Sequence, residues 1–184
     1  MSREEAWQLL QEKVKTPNLI KHCLAVEASM RELARYFHED EDKWGIAGLL
    51  HDIDYEETKD QPQEHSLKGA EFLASLGVDS EITEAIKTHN DTHQLIPQSL
   101  MAKALFCTDP LTGLIVATTL VLPSKKIQEV TPLNVLNRLK EKSFAKGARR
   151  EVINQCEPLL GLPLEEFVSL VLKGMQNIAS ELGL

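Results

Sequence analysis

A histidine followed directly by an aspartate, His51-Asp52, closes an apolar stretch that runs from Trp44 to Leu50. Imidazole and carboxylate are both transition-metal ligands, so this doublet marks a candidate metal site. Further residues of the same chemistry lie on either side: His22 upstream, then His65, His89 and Asp109 downstream. Four imidazoles and two carboxylates are enough to hold two metal ions. A pair of that kind is suited to activating water against a phosphate ester. Whether the six residues meet depends on the elements that carry them.

The hydrophobic pattern is helical almost throughout. No stretch alternates apolar and polar residues with β-branched enrichment, so the expected fold is all-α. Residues 2–15 form a short amphipathic helix. Thr16-Pro17 reads as an N-cap with proline at the first helical position. The helix after it spaces Leu19, Cys23, Val26, Met30, Leu33 and Phe37 by fours and threes, with His22 on the edge of that stripe. The acidic run 39–42 reads as a connection. The short helix from Trp44 contains Gly45 and Gly48, which permit close backbone approach.

Residues 53–64 are polar, contain Pro62 and read as a loop that leaves His65 at the mouth of a helix over 66–76, closed by Gly77. Asp79 or Ser80 caps the next helix, on which Ile82, Ile86 and His89 share a face. A second polar loop runs from Asn90 to Gln98. Ser99 caps a helix reaching Asp109, and Pro110 predicts a kink or break before an apolar helix over 111–122. Thr131-Pro132 opens a helix to about Phe144, and residues 148–157 and 163–182 form two more. The expected architecture is one compact domain over 1–184, with a core at about 17–122 and a C-terminal helical extension at about 131–183.

Composition narrows the function. The net charge is -8, which argues against a general nucleic-acid coat, since phosphate-backbone binding relies on clustered Lys and Arg. A small phosphorylated substrate stays compatible, because a metal supplies local positive charge. The isolated Cys23, Cys107 and Cys156 form no CxxC pair and read as small core residues. The most apolar segment, 110–124, is shorter than the ~18 residues a membrane span needs. With the charged N-terminus, this points to a soluble cytoplasmic protein.

Asp109 lies within an apolar helix, and a buried carboxylate is costly unless paired or metal-bound. The order H…HD…H…H…D, carried by His22, LLHDID, HSLKGAEFL, IKTHND and LFCTDPLTG, resembles the HD-domain superfamily of metal-dependent phosphohydrolases over roughly residues 17–122. His65 before Gly69-Ala70 is similar to the HDIG-type subset. The resemblance implies an HD-like helical bundle. His22, His51, Asp52 and Asp109 would bind one metal; His65 and His89 would bind a second, with Asp52 bridging. The imidazole-rich set favours Mn, Fe, Co, Ni or Zn, one or two ions per chain.

Ile53-Asp54-Tyr55 departs from two subfamilies. The HD-GYP phosphodiesterases have a lysine after the doublet and a GYP motif, both absent here. The stringent-response hydrolases and the nucleoside-monophosphate phosphatases have a glutamate where Tyr55 stands. The bacterial diadenosine tetraphosphate hydrolases share the six-ligand order and are the closer analogy. Asp52 and Asp54 are the expected catalytic carboxylates, Asp54 as a proton acceptor or as the orienter of a ligand.

Positive charge concentrates in Arg138–Arg150, with Lys140, Lys142, Lys146 and Arg149, and at Lys125-Lys126. From these groups Lys125, Lys126, Lys142 and Lys146 are the expected phosphate contacts, joined by His93 beside His89. The expected function is hydrolysis of a small phosphorylated substrate, with a nucleotide the leading class. A non-catalytic module that senses a nucleotide or a metal is the alternative.

Overall fold

Thr16-Pro17 opens the helix around which the rest is arranged. In a computed structural model describing all residues 1–184, this helix, α2, spans Pro17–Phe37, after a first helix α1 at Arg3–Lys13. Its predicted stripe is the buried one: Cys23, Val26, Met30 and Leu33 have no exposure. Two neighbours press onto it at glycines. On α3 (Glu41–Leu50), a Cβ at Gly48 would lie 2.9 Å from the backbone of Val26 and Glu27. On α11 (Leu164–Asn177), a Cβ at Gly174 would lie 2.6 Å from the Ala28 carbonyl oxygen. Both helices therefore approach α2 at backbone distance, and the α2–α3 contact brings His22 beside His51.

The chain is helical with no strand. α3 begins earlier than the sequence predicts. The Asp40 carboxylate accepts from the Asp42 and Lys43 amides, so Glu41 and Asp42 form the first turn instead of a connection. Acidic side chains there also suit the positive end of the helix dipole. A short helix, α4 (Tyr55–Thr58), interrupts the expected loop before α5 (Leu67–Ser75) and α6 (Ser80–Thr88).

The alternative of a break at Pro110 does not occur. A single helix, α7, runs from Leu100 to Leu120 through Pro110. A proline inside a helix costs about 3 kcal/mol. Met101, Leu105, Leu111, Leu114 and Ile115 on the same helix are completely buried. Burial of such side chains contributes about 1.5–3 kcal/mol each, so packing exceeds the local cost. By length and composition α7 is apolar enough to cross a membrane, but 61% of its most apolar window is buried inside the protein, as a core helix would be.

The extension departs most from expectation. α8 (Pro132–Lys140) carries the predicted Thr131 cap but stops four residues before Phe144. The helix predicted over 148–157 is two short ones, α9 (Arg150–Ile153) and α10 (Cys156–Leu160), and a final turn, α12 (Ala179–Leu182), follows α11. Between α8 and α9 the chain forms an irregular loop over 141–149. One continuous apolar cluster includes Leu10 of α1, Met30 of α2, Leu105 of α7, Val135 of α8 and Phe167 of α11. All three cysteines are buried and unpaired.

Candidate metal centre

The six predicted ligands converge. From α2, His22 Nε2 lies 3.1 Å from His51 Nε2, at the C-terminal cap of α3, and 3.1 Å from Asp109 Oδ1 in mid-α7. Asp52 Oδ1 lies 3.5 Å from His51 Nε2, 3.3 Å from His65 Nε2 and 3.4 Å from His89 Nε2, while its other oxygen is 3.7 Å from His22 Nε2. One carboxylate thus stands between two imidazole pairs. His51, Asp52 and His89 are buried, and all of the six except His51 border an open cavity of about 670 Å³.

The outer ring nitrogens are anchored. His51 Nδ1 donates to the Gly48 carbonyl at 2.8 Å and His89 Nδ1 to that of Ile86 at 2.7 Å, each one turn back along its helix. His65 Nδ1 donates to Asp54 Oδ1 at 2.9 Å. Thr112 spends its hydroxyl hydrogen on the Asp109 carbonyl, so its oxygen accepts from His22 Nδ1 at 3.3 Å. In its neutral form each of the four rings would carry the proton on Nδ1 and turn the Nε2 lone pair inward, as bound histidines do. Lone pairs then face lone pairs and carboxylate oxygens with no hydrogen between them. Only cationic charge stabilises that arrangement, so the donor set fits a divalent metal.

Protonation of the metal-free cluster shows the same demand. Burial works against a charged His65, but its hydrogen bonds to Asp52 and Asp54 prevail and raise its pKa to about 9. His51 is also raised, with Asp52 and Asp109 overcoming burial. Burial dominates at His89 and lowers it. Burial opposes ionisation of Asp52 and Asp109, yet the surrounding imidazoles hold both well below the usual carboxylate range.

Of the two roles expected for Asp54, its contacts match the orienter of a ligand, not a proton acceptor at the cavity. It does not border the cavity. Besides accepting from His65, it takes the Ser66 amide at 2.9 Å and the Gly69 amide at 2.8 Å. It is a positioning residue that orients His65 and caps α5. Gly69 lies against it, since a Cβ there would be 3.1 Å from Asp54 Cγ. Ser66 adopts φ 72°, an uncommon conformation for a residue with a side chain. That turn is held by Asp54 on its amide and by its own hydroxyl donating to the Lys87 carbonyl.

The predicted phosphate contacts separate. Lys146 borders the cavity; Lys125, Lys126 and Lys142 do not. Lys125 and Lys126 follow the far end of α7, about 16 Å along the helix from Asp109 to Leu120 at 1.5 Å per residue. Lys142 sits at the opposite end of the irregular loop from Arg149. His93 also misses the cavity: its Nε2 donates to the His65 carbonyl at 2.7 Å, with Asn90 Nδ2 on the same oxygen at 3.3 Å. The cation at the centre is Arg149, which donates to Asp109 Oδ2 and to Asp91 Oδ1, both at 2.5 Å. The sequence placed Arg149 in the basic run, but nothing local set it apart from its neighbours.

The helical scaffold and the convergent imidazole–carboxylate cluster define a class, an all-α domain built around a prospective divalent-metal site. The family model described as HD domain matches residues 19–113, just over half of the chain. The chain belongs to the HD-domain family, whose superfamily is one of metal-dependent phosphohydrolases. Searches of the curated proteins and of the solved structures returned no significant match.

Proposed function

We propose that this chain hydrolyses a small phosphate ester or anhydride, with nucleotides as the substrate class and the HDIG-type subset as its place within the family. The observation that carries the proposal is the complete convergent ligand set at the floor of an open cavity. His22, His51, Asp52 and Asp109 would hold one ion, and His65 and His89 a second, with Asp52 between them. Bound there, Mn, Fe, Co, Ni or Zn supplies a water that ionises near neutral pH and neutralises charge on phosphoryl oxygens.

The chain's residues prepare that chemistry. The Nδ1 anchors fix each ring before ligand arrives, which removes reorganisation from the reaction. Asp52, inside the imidazole cluster, keeps its negative charge. Tyr55 meets the His65 ring edge-on at 5.3 Å and walls one side of the cavity.

The test is metal analysis of the purified protein, then a turnover screen of nucleotides and generic phosphomonoesters and diesters with added Mn. Bound metal with hydrolysis of any of these supports the proposal. Bound metal without turnover across the panel replaces it with the sensing module. Absence of metal uptake, with no stability change in His51→Ala, removes the site itself.

A further inference from the structure

The extension returns residues 145–149 to the wall of the cavity, which Lys146 and Arg149 border together with the imidazole cluster. Arg149 Nη2 holds Asp109 Oδ2, and the other oxygen of Asp109 faces His22 at 3.1 Å. A permanently charged fork therefore stands one carboxylate away from the ligand atoms. Its second arm holds Asp91, whose side chain is 42% exposed, against 15% for Asp109. The inner pair is sheltered and the outer pair is open to water, so the outer one is readily exchanged.

The loop that presents Arg149 has no regular structure, and Ala145 within it adopts φ 43°. The adjacent arginine holds it together. Arg150 Nε donates to the Leu139 carbonyl at 2.9 Å, Nη1 to that of Ala148 at 3.2 Å, and Nη2 to those of Glu141 at 2.9 Å and Phe144 at 2.5 Å. This guanidinium pairs with no carboxylate. Its fork of donors is spent on closing one loop. One arginine folds the segment and its neighbour points into the cavity.

We propose that residues 145–149 form a phosphate clamp. Arg149, assisted by Lys146, exchanges Asp91 for non-bridging oxygens of the substrate's phosphate, and Arg150 is the positioning residue that shapes the loop. A guanidinium offers paired N–H groups that match phosphate oxygens. The clamp rests on the phosphohydrolase reading for its substrate, but it is testable by binding alone. It lies outside the segment matched by the family model.

The experiment titrates inorganic phosphate into Mn-loaded protein by calorimetry, with metal content measured separately, for wild type, Arg149→Gln, Arg149→Lys and Arg150→Lys. Arg149→Gln is expected to keep its metal and to bind phosphate about tenfold or more weakly, the loss expected for charged hydrogen bonds. Arg149→Lys recovers part of that affinity. Arg150→Lys keeps both the metal and the inward cation, yet weakens phosphate binding because the loop loses its shape. Wild-type affinity in Arg149→Gln, no phosphate binding in wild type, or loss of metal in Arg149→Gln each overturns the clamp; the last would make Arg149 only a support for Asp109. Metal and Arg149-dependent phosphate binding without turnover of any substrate keeps the clamp and overturns the hydrolase.

Discussion

The two halves of the imidazole cluster are held in place by different means. His22, His51 and Asp109 sit on α2, α3 and α7, whose axes are set by backbone-distance packing at Gly48 and by the buried length of α7. His65 sits in an irregular turn before α5, held by Asp54, by an uncommon φ at Ser66, and by His93 and Asn90 on its carbonyl. His89 lies between these cases, at a helix cap but buried. Geometry that comes from packed helices is lost only with the fold. Geometry that comes from a few polar contacts can be lost alone.

The largest expected effect is on the first half. Gly48→Val drives a side chain into the α2 backbone at 2.9 Å. Overpacking of this kind costs about 3 kcal/mol, or roughly 6–12 °C of Tm for a chain of this size. Thermal unfolding should show that loss together with loss of metal at both positions; metal binding intact at wild-type Tm would contradict the account of α2 and α3.

Asp54→Asn should separate the halves. It removes the charge that orients His65, and changes in groups that orient a metal ligand typically cost about 10–100-fold in affinity. Metal titration should show that loss only at the position that His65 and His89 would provide for a second ion. An equal loss at both positions would erase the distinction.

A pH dependence follows from His65. Its folded pKa of about 9 lies above the ordinary 6.5, so in metal-free protein its stabilising contribution is full below pH 6.5 and lost as pH rises through about 9. The fall in Tm from pH 6 to pH 10 should be smaller in His65→Ala than in wild type. Metal competes with the same proton, so uptake at this half should strengthen with pH up to about 9.

The smallest effect is expected at His93→Phe, which removes one hydrogen bond from the His65 carbonyl. That bond is worth about 0.5–1.5 kcal/mol, and each 1 kcal/mol is about 2–4 °C for a chain of this size. The change in Tm should come with weaker metal binding confined to the His65 half.

Much of the first half was legible in the sequence. The stripe of α2, the helix start at Thr16-Pro17 and the position of His51 at the end of an apolar helix are local patterns, and the structure reproduces them, although the Thr16 side chain makes no capping hydrogen bond. Which of its two expected roles Asp54 takes was not legible. A polar loop residue two positions after a ligand gives no sign that amides 12 and 15 residues further on will fold onto it. Pro110 misled for the converse reason: its local cost is visible, whereas the burial that exceeds it comes from helices distant in sequence.

By itself the sequence determined the helical class, the ligand chemistry and the order in which the ligands arrive, because residue type and periodicity are local properties. Tertiary structure alone decided which carboxylate stands between the imidazoles and which one supports a ring from behind. It also decided which of many basic side chains reaches the site. Arg149 lies 40 residues from Asp109 and 58 from Asp91. Contacts over such separations depend on where the helices pack, and no window of neighbouring residues encodes that.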